Sequence, residues 1–202
     1  MLPVTAVTGA ARCGTTLVMR MLDAGGVPAY ADNRVSFETD KILRLPTDSA
    51  WLRECRGKAV KLLEPLYLAP LPSIDWRFIL LSRDPEEQAK SHLKFLRMVS
   101  GLDVSDTEIP KLAASLRKDY PKMHKMLIRS GPVLTLRFED VLSKPHSTAL
   151  TIEGFLDRRL DISAMAACVV PRGPACLDYL LETSLVATEG QASDSSAVSL
   201  PL

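Results

Sequence analysis

The sequence has no long apolar run and no excess of charge of either sign. Its 202 residues include 25 Lys and Arg and 24 Asp and Glu, so the formal net charge is only +1. Such a chain is not drawn as a whole to nucleic acid or to an anionic membrane, and any anion site must be local. No apolar run approaches the roughly 20 residues that cross a bilayer. We therefore expect neither a nucleic-acid partner nor a membrane.

Cysteine is scarce as well. The four cysteines are scattered, without the close C-x-x-C pairs of a zinc site, at Cys13, Cys55, Cys168 and Cys176. The amino terminus lacks the basic region and the apolar core of a secretory signal. These absences predict reduced thiols and a cytoplasmic protein.

What the sequence does contain is an alternation of strand-like and helix-like segments. Apolar runs typical of buried strands lie at 2–9, 58–65, 76–84 and 131–140. Segments typical of helices lie at 15–24, 85–99, 109–128 and 147–160, the third broken or kinked at Pro121. The alternation predicts an α/β fold, with a parallel β-sheet flanked by helices. We expect one domain at 1–187 and a polar, disordered tail at 188–202.

The first strand leads directly into a glycine-rich loop. Residues 9–16, GAARCGTT, match the G-x-x-x-x-G-K-[ST] spacing of a P-loop, except that Thr15 replaces the lysine. Glycines let backbone N–H groups approach an anion, and the positive end of the following helix points at it. The missing lysine normally reaches the outer phosphates of a triphosphate, so the loop, with Arg12 nearby, favours a single phosphate. The alternative is a strand–helix turn that binds nothing.

A second anion site is predicted where the strand at 76–84 ends. Arg83 stands at the carboxyl end of that strand, and Ser91 follows eight residues later in the next helix. Ligands of open parallel sheets bind at the carboxyl ends of the strands, so Arg83 and the Arg12 loop should share one crevice. Two anion sites in one crevice imply a ligand with two separated phosphates.

These motifs resemble those of the sulfotransferases that use 3′-phosphoadenosine 5′-phosphosulfate (PAPS), namely bacterial sulfotransferase-like proteins and, in part, tyrosylprotein sulfotransferases. TGAARCGTT is similar to their 5′-phosphosulfate loop, and the Arg83–Ser91 pair resembles their 3′-phosphate site. The likeness extends over about residues 3–160 and includes FILLSRDPEE and LRFEDVLSKP. It implies a sulfotransferase-like fold in which the following residues bind the nucleotide: Arg12, Cys13, Gly14, Thr15, Thr16, Arg83, Ser91 and, through the PRG segment at 171–173, Arg172.

The resemblance also implies an activity, the transfer of a sulfuryl group from PAPS to a hydroxyl or amine, without a metal. Arg12 and the N–H groups of the loop would stabilise the departing phosphate. Glu38, in VSFETDKILRLP, resembles the family's glutamate near the acceptor and is the candidate base. The alternative for Glu38 is a residue that stabilises a helix start, and His92 is then the other candidate base.

The acceptor is left open by the sequence, as a small molecule, a glycan or a peptide, and so is the oligomeric state. Two other functions stay possible at this point. One is a non-catalytic module that binds the product nucleotide (PAP) or another nucleotide. The other is a degenerate P-loop kinase or NTPase, against which the absent lysine and the absent Walker-B acid count.

Overall fold

The structure is a computed structural model that describes residues 2–45, 47–101 and 104–170. Arg172, the predicted domain end at 187 and the predicted tail at 188–202 lie outside these described residues. No helix in the described part of the chain is long and apolar enough to span a membrane.

The described chain forms a five-stranded sheet with helices on both faces. The strands are β1 (Val4–Gly9), β2 (Ala29–Tyr30), β3 (Ala59–Leu63), β4 (Trp76–Ser82) and β5 (Val133–Arg137). The helices are α1 (Thr15–Ala24), α2 (Pro85–Ser100), α3 (Ile109–Leu127), α4 (Phe138–Ser143), α5 (Pro145–Leu156) and α6 (Ile162–Ala167). The order in the sheet is β2-β3-β1-β4-β5, and each neighbouring pair is parallel. The predicted α/β fold with a parallel sheet is confirmed.

Two local predictions need correction. The strand β2 was missed because its two residues are too few to show any periodicity. The helix α3 was expected to be broken or kinked at Pro121, and the break is wrong, because the helix continues through that residue as one element. Pro121 is exposed, and the helix is anchored on both sides of it by buried Ala113, Met123 and Leu127. This packing offsets the one hydrogen bond that a proline removes.

Alternate residues of the strands face two separate cores. In β4, Ile79 and Leu81 pack with α1, α5 and α6 on one face of the sheet. Phe78 and Leu80 belong to a second cluster on the opposite face, which includes Trp51. A parallel sheet covered on both faces has strands that are apolar throughout. A charged side chain within such a strand is therefore unusual, and β3 contains one.

The central position of β1 determines which elements surround the loop that follows it. Parallel strands end at one edge of the sheet, and β1 lies between β3 and β4. In the register of the sheet, Val7 of β1 is opposite Lys61 of β3 on one side and Ile79 of β4 on the other. The loop after β1 is thus flanked by the end of β3 and by the end of β4.

Candidate active site

The loop from β1 to α1 has the backbone of an anion-binding turn. Gly9, Arg12 and Gly14 have positive φ angles of 148°, 69° and 103°. Gly14 caps α1 without a side-chain hydrogen bond, and the first turn of α1 contains no acid. The positive end of the helix is therefore left for an anion. A Cβ atom at Gly14 would lie 2.3 Å from the ring of Phe138, so the packing requires glycine there.

The carbonyl groups of the loop are held from the β4 side. Gln88 Nε2 donates to the oxygens of Ala10, at 3.3 Å, and Ala11, at 2.8 Å. Arg83 Nη1 donates to the oxygen of Arg12 at 3.3 Å. Both donor side chains are buried. Three successive loop carbonyls thus accept hydrogen bonds from side chains on this side, which stabilise the conformation of the loop.

The predicted phosphate-binding residues lie together on the same side. The Nε–H of Arg12 donates to Ser91 Oγ at 3.4 Å, and Ser91 is fully buried. The guanidinium of Arg12 lies 4.9 Å from the centroid of the Phe95 ring. That of Arg83 lies at the same distance, 4.9 Å, from the centroid of Phe138. The structure therefore brings Arg12, Arg83 and Ser91 into one cluster, while their roles toward phosphate stay predictions.

A buried lysine, which the sequence analysis did not select, lies on the β3 side. The amine of Lys61 donates to Thr16 Oγ1 at 3.0 Å, to the oxygen of Ser36 at 2.9 Å and to Glu38 Oε1 at 2.7 Å. Its side chain is only 5% exposed. Burial lowers the pKa of Lys61, and the Glu38 carboxylate opposes that shift. A buried lysine from β3 thus contacts the start of α1, although no lysine stands at position 15.

Glu38 lies beside the loop because Lys61 holds it there. Its side chain is 54% exposed, so a ligand can reach the carboxylate from solvent. The short 3₁₀ helix that follows begins at Asp40, and its cap is Thr39, whose hydroxyl accepts the N–H of Lys41. The side-chain cap of this helix is thus Thr39, and Glu38 stands one residue before it, so both roles of Glu38 stay predictions.

Known proteins resemble the chain in structure. No family model matches the sequence, and no curated protein does. The sulfotransferase domain of the Synechococcus PCC 7002 olefin synthase superposes with a TM-score of 0.55 at 17% identity, over 98% of this chain and 96% of that one. A sulfotransferase from Alicyclobacillus acidocaldarius gives 0.52 at 17% identity, over 95% and 92%. Retinol dehydratase, solved with androsterone and the inactive cofactor PAP, gives 0.52 at 14% identity, over 100% and 84%. The chain has the sulfotransferase fold.

The predicted resemblance is thereby confirmed for the fold. On this sulfotransferase fold, Cys13 takes a packing role inside the loop. Its N–H donates to the oxygen of Ala10 at 3.3 Å, and a Cβ atom at Gly9 would lie 2.6 Å from its Sγ. Burial raises the pKa of Cys13 to about 12, so the thiol keeps its proton at neutral pH. The side chain of Cys13 is therefore neither charged nor exposed.

Two further titratable residues border the loop. Glu64, directly after β3, accepts the N–H of Ala11 through Oε1 at 2.7 Å and donates its own N–H to the oxygen of Gly9 at 3.1 Å. His92, the alternative base, is half-buried on α2; burial lowers its pKa, while the charges of Glu64 and Arg12 act on it in opposite directions. His92 thus lies near the loop as well, but no hydrogen bond ties it to Glu38.

The missed lysine had one signal in the sequence. Lys61 stands in KAVKLLEP, a run that otherwise predicts a strand buried on both faces. Lysines are almost never fully buried unless they are paired. A lysine inside a buried strand therefore indicates an acidic partner, but only the fold identifies that partner as Glu38.

Proposed function

We propose that the chain is a sulfotransferase that moves a sulfuryl group from PAPS to a hydroxyl or amine of an acceptor still to be identified. The observation that carries this proposal is the position of the Lys61 amine, which joins Thr16 at the start of α1 to the exposed carboxylate of Glu38. A cation at the loop and a base beside it are what transfer from a phosphosulfate needs.

The residues present fit the donor nucleotide. The start of α1 would bind the 5′-phosphate of the nucleotide, since it has no side-chain cap and no acid in its first turn. On the side of its 3′-phosphate, Arg83 and the buried Ser91 belong to the same cluster as Arg12. Retinol dehydratase, which shares the fold, was solved with PAP, and this supports the same ligand class here.

Each residue has a defined task in the proposed reaction. PAPS supplies a sulfuryl group bound to a phosphate that leaves readily. Arg12 and the first N–H groups of α1 stabilise the negative charge on that phosphate. Glu38 takes the proton of the acceptor. The amine of Lys61 donates to Glu38 Oε1 at 2.7 Å and to the Thr16 hydroxyl at 3.0 Å, and so holds both residues in place. One buried side chain therefore sets the distance between the base and the loop, which favours a productive geometry.

The first experiment measures which nucleotide binds. Calorimetry with PAP, with and without EDTA, is compared with ATP plus Mg²⁺. We expect PAP to bind without a divalent metal because arginine and lysine side chains supply the positive charge. An absolute Mg²⁺ requirement, or a preference for ATP, would count against a sulfotransferase and favour a P-loop kinase.

The second experiment measures transfer. Labelled PAPS is incubated with phenols, alcohols, amines, glycans and tyrosine peptides, and Glu38→Gln serves as the matched control. Transfer by the wild type and its loss in the variant support the proposal. PAP binding without transfer to any acceptor would instead favour the non-catalytic nucleotide-binding module.

A further inference from the structure

One aromatic ring touches both predicted phosphate sites. Phe138 is the first residue of α4, directly after β5, and only 7% of it is exposed. Its ring edge packs against Gly14, where a Cβ atom would lie 2.3 Å away. The guanidinium of Arg83 lies 4.9 Å from the centroid of the same ring. Phe138 therefore stands between the loop for the 5′-phosphate and the arginine predicted to bind the 3′-phosphate.

The sheet determines where this ring lies. β4 and β5 are in parallel register, with Ser82 opposite Arg137. Two residues beyond the strands, the N–H of Asp84 donates to Glu139 Oε1 at 2.8 Å. The chain around Arg83 is thus joined to the chain around Phe138 both before and after these two residues. The ring is held by backbone register and not by a mobile loop.

A planar guanidinium stacks on an aromatic face, whereas an ammonium group does not stack in this way. Phe138 therefore orients Arg83 while it also contacts the backbone of the loop. Arg12 offers a comparison, since its guanidinium lies on Phe95 of α2 instead. Both arginines have an aromatic support, and Phe138 is the support that also packs against Gly14.

We propose that Phe138 is a positioning residue that sets the spacing between the two phosphate sites. By holding Arg83 at one distance from the start of α1, it makes the chain select a nucleotide with 3′- and 5′-phosphates over one with 2′- and 5′-phosphates. This inference rests on the proposed function, because it takes the donor's nucleotide as the ligand.

The test compares three nucleotides by calorimetry: adenosine 3′,5′-bisphosphate, adenosine 2′,5′-bisphosphate and adenosine 5′-phosphate. In Phe138→Leu we expect the affinity for the 3′,5′-bisphosphate to fall about tenfold, as for the loss of a desolvated cation–π contact. The affinity for adenosine 5′-phosphate should change little, and the preference for 3′,5′ over 2′,5′ should shrink. A merely structural role would lower the binding-competent fraction and leave that preference unchanged, and this result would overturn the inference.

Two further variants keep the test decisive. Phe95→Leu removes the ring under Arg12 and should leave the preference for 3′,5′ intact. Arg83→Lys keeps the charge but loses the stacking, so it should reduce the preference even if Phe138→Leu fails to fold. In the double variant the two losses should not add, because both remove the same contact. Additive losses, or an unchanged preference in Arg83→Lys, would overturn the inference.

The outcome also separates this inference from the proposed function. If the wild type binds neither bisphosphate, the proposed function fails and the inference fails with it. If the wild type binds the 3′,5′-bisphosphate and the variants leave its preference unchanged, only the role of Phe138 is wrong.

Discussion

The two sides of the loop after β1 are built from different kinds of side chain. On the β4 side, Arg12 and Arg83 lie on aromatic rings, and Ser91 of α2 is fully buried. On the β3 side, a buried lysine, Lys61, pairs with the exposed carboxylate of Glu38. Arginine stays charged at every pH that proteins tolerate, whereas lysine and glutamate exchange protons. We therefore expect the β4 side to govern nucleotide affinity and the β3 side to govern turnover.

The largest effect should come from Glu38→Gln, on the β3 side. Loss of the base should lower the turnover rate about 10²–10⁴-fold. Glutamine keeps the size of the side chain, and its carbonyl oxygen still accepts from Lys61. The affinity for PAP should therefore be unchanged, as measured by calorimetry beside single-turnover assays. A near-normal rate would remove Glu38 from the chemistry and make His92 the candidate base.

Lys61→Met should separate catalysis from stability on the same side. Removing the amine that holds the Glu38 carboxylate beside the loop should lower the turnover rate about 10²-fold, as for a misplaced catalytic group. The midpoint of thermal unfolding should stay equal or rise, because a well-packed apolar chain replaces a buried charge and leaves Glu38 in solvent. Lys58→Met, just before the same strand, is the control and should keep its turnover. A large loss of stability in Lys61→Met would make Lys61 a structural residue.

On the β4 side, Ser91→Ala should weaken nucleotide binding and not the chemistry. A hydrogen bond to a charged group contributes about 1.5–3 kcal/mol, so PAP affinity should fall about 10–100-fold. Adenosine 5′-phosphate lacks the 3′-phosphate and should bind as before. Both Ser91 and Arg83 contact Arg12, Ser91 through the Arg12 Nε–H and Arg83 through the Arg12 oxygen, so adenosine 5′-phosphate is the control for an indirect effect on the loop. Equal weakening of both ligands would contradict the 3′ assignment.

The smallest effect is a shift in the pH dependence of turnover. Burial lowers the pKa of Lys61 from the ordinary 10.5, so its amine loses its proton at a lower pH than an exposed lysine does. Below that pKa the amine is charged, and turnover should fall as the pH rises through it. Binding of PAP to the arginines should not follow the same curve. In Lys61→Arg the alkaline fall should move to higher pH, and an identical curve would exclude Lys61 as its source.

The two sides also differ in how far the sequence predicts them. Arg12, Arg83 and Ser91 were selected from short motifs at a strand end and at a helix start, where the spacing along the chain predicts the position in space. Lys61 was not selected, because its contacts with Thr16 and Glu38 span 45 and 23 residues. The same is true of Phe138, whose contact with Gly14 joins the end of the edge strand β5 to the loop after the central strand β1.

The sequence by itself determined the strands β1, β3, β4 and β5, the parallel sheet and the glycine-rich loop at the start of α1. These features follow from apolar periodicity and from glycine positions, which act over a few neighbouring residues. Only the tertiary structure decided that Lys61 contacts both Thr16 and Glu38 and that Phe138 contacts both Arg83 and Gly14. Both contacts depend on β1 lying between β3 and β4. That order arises when the whole sheet packs its two cores, and no local pattern specifies it.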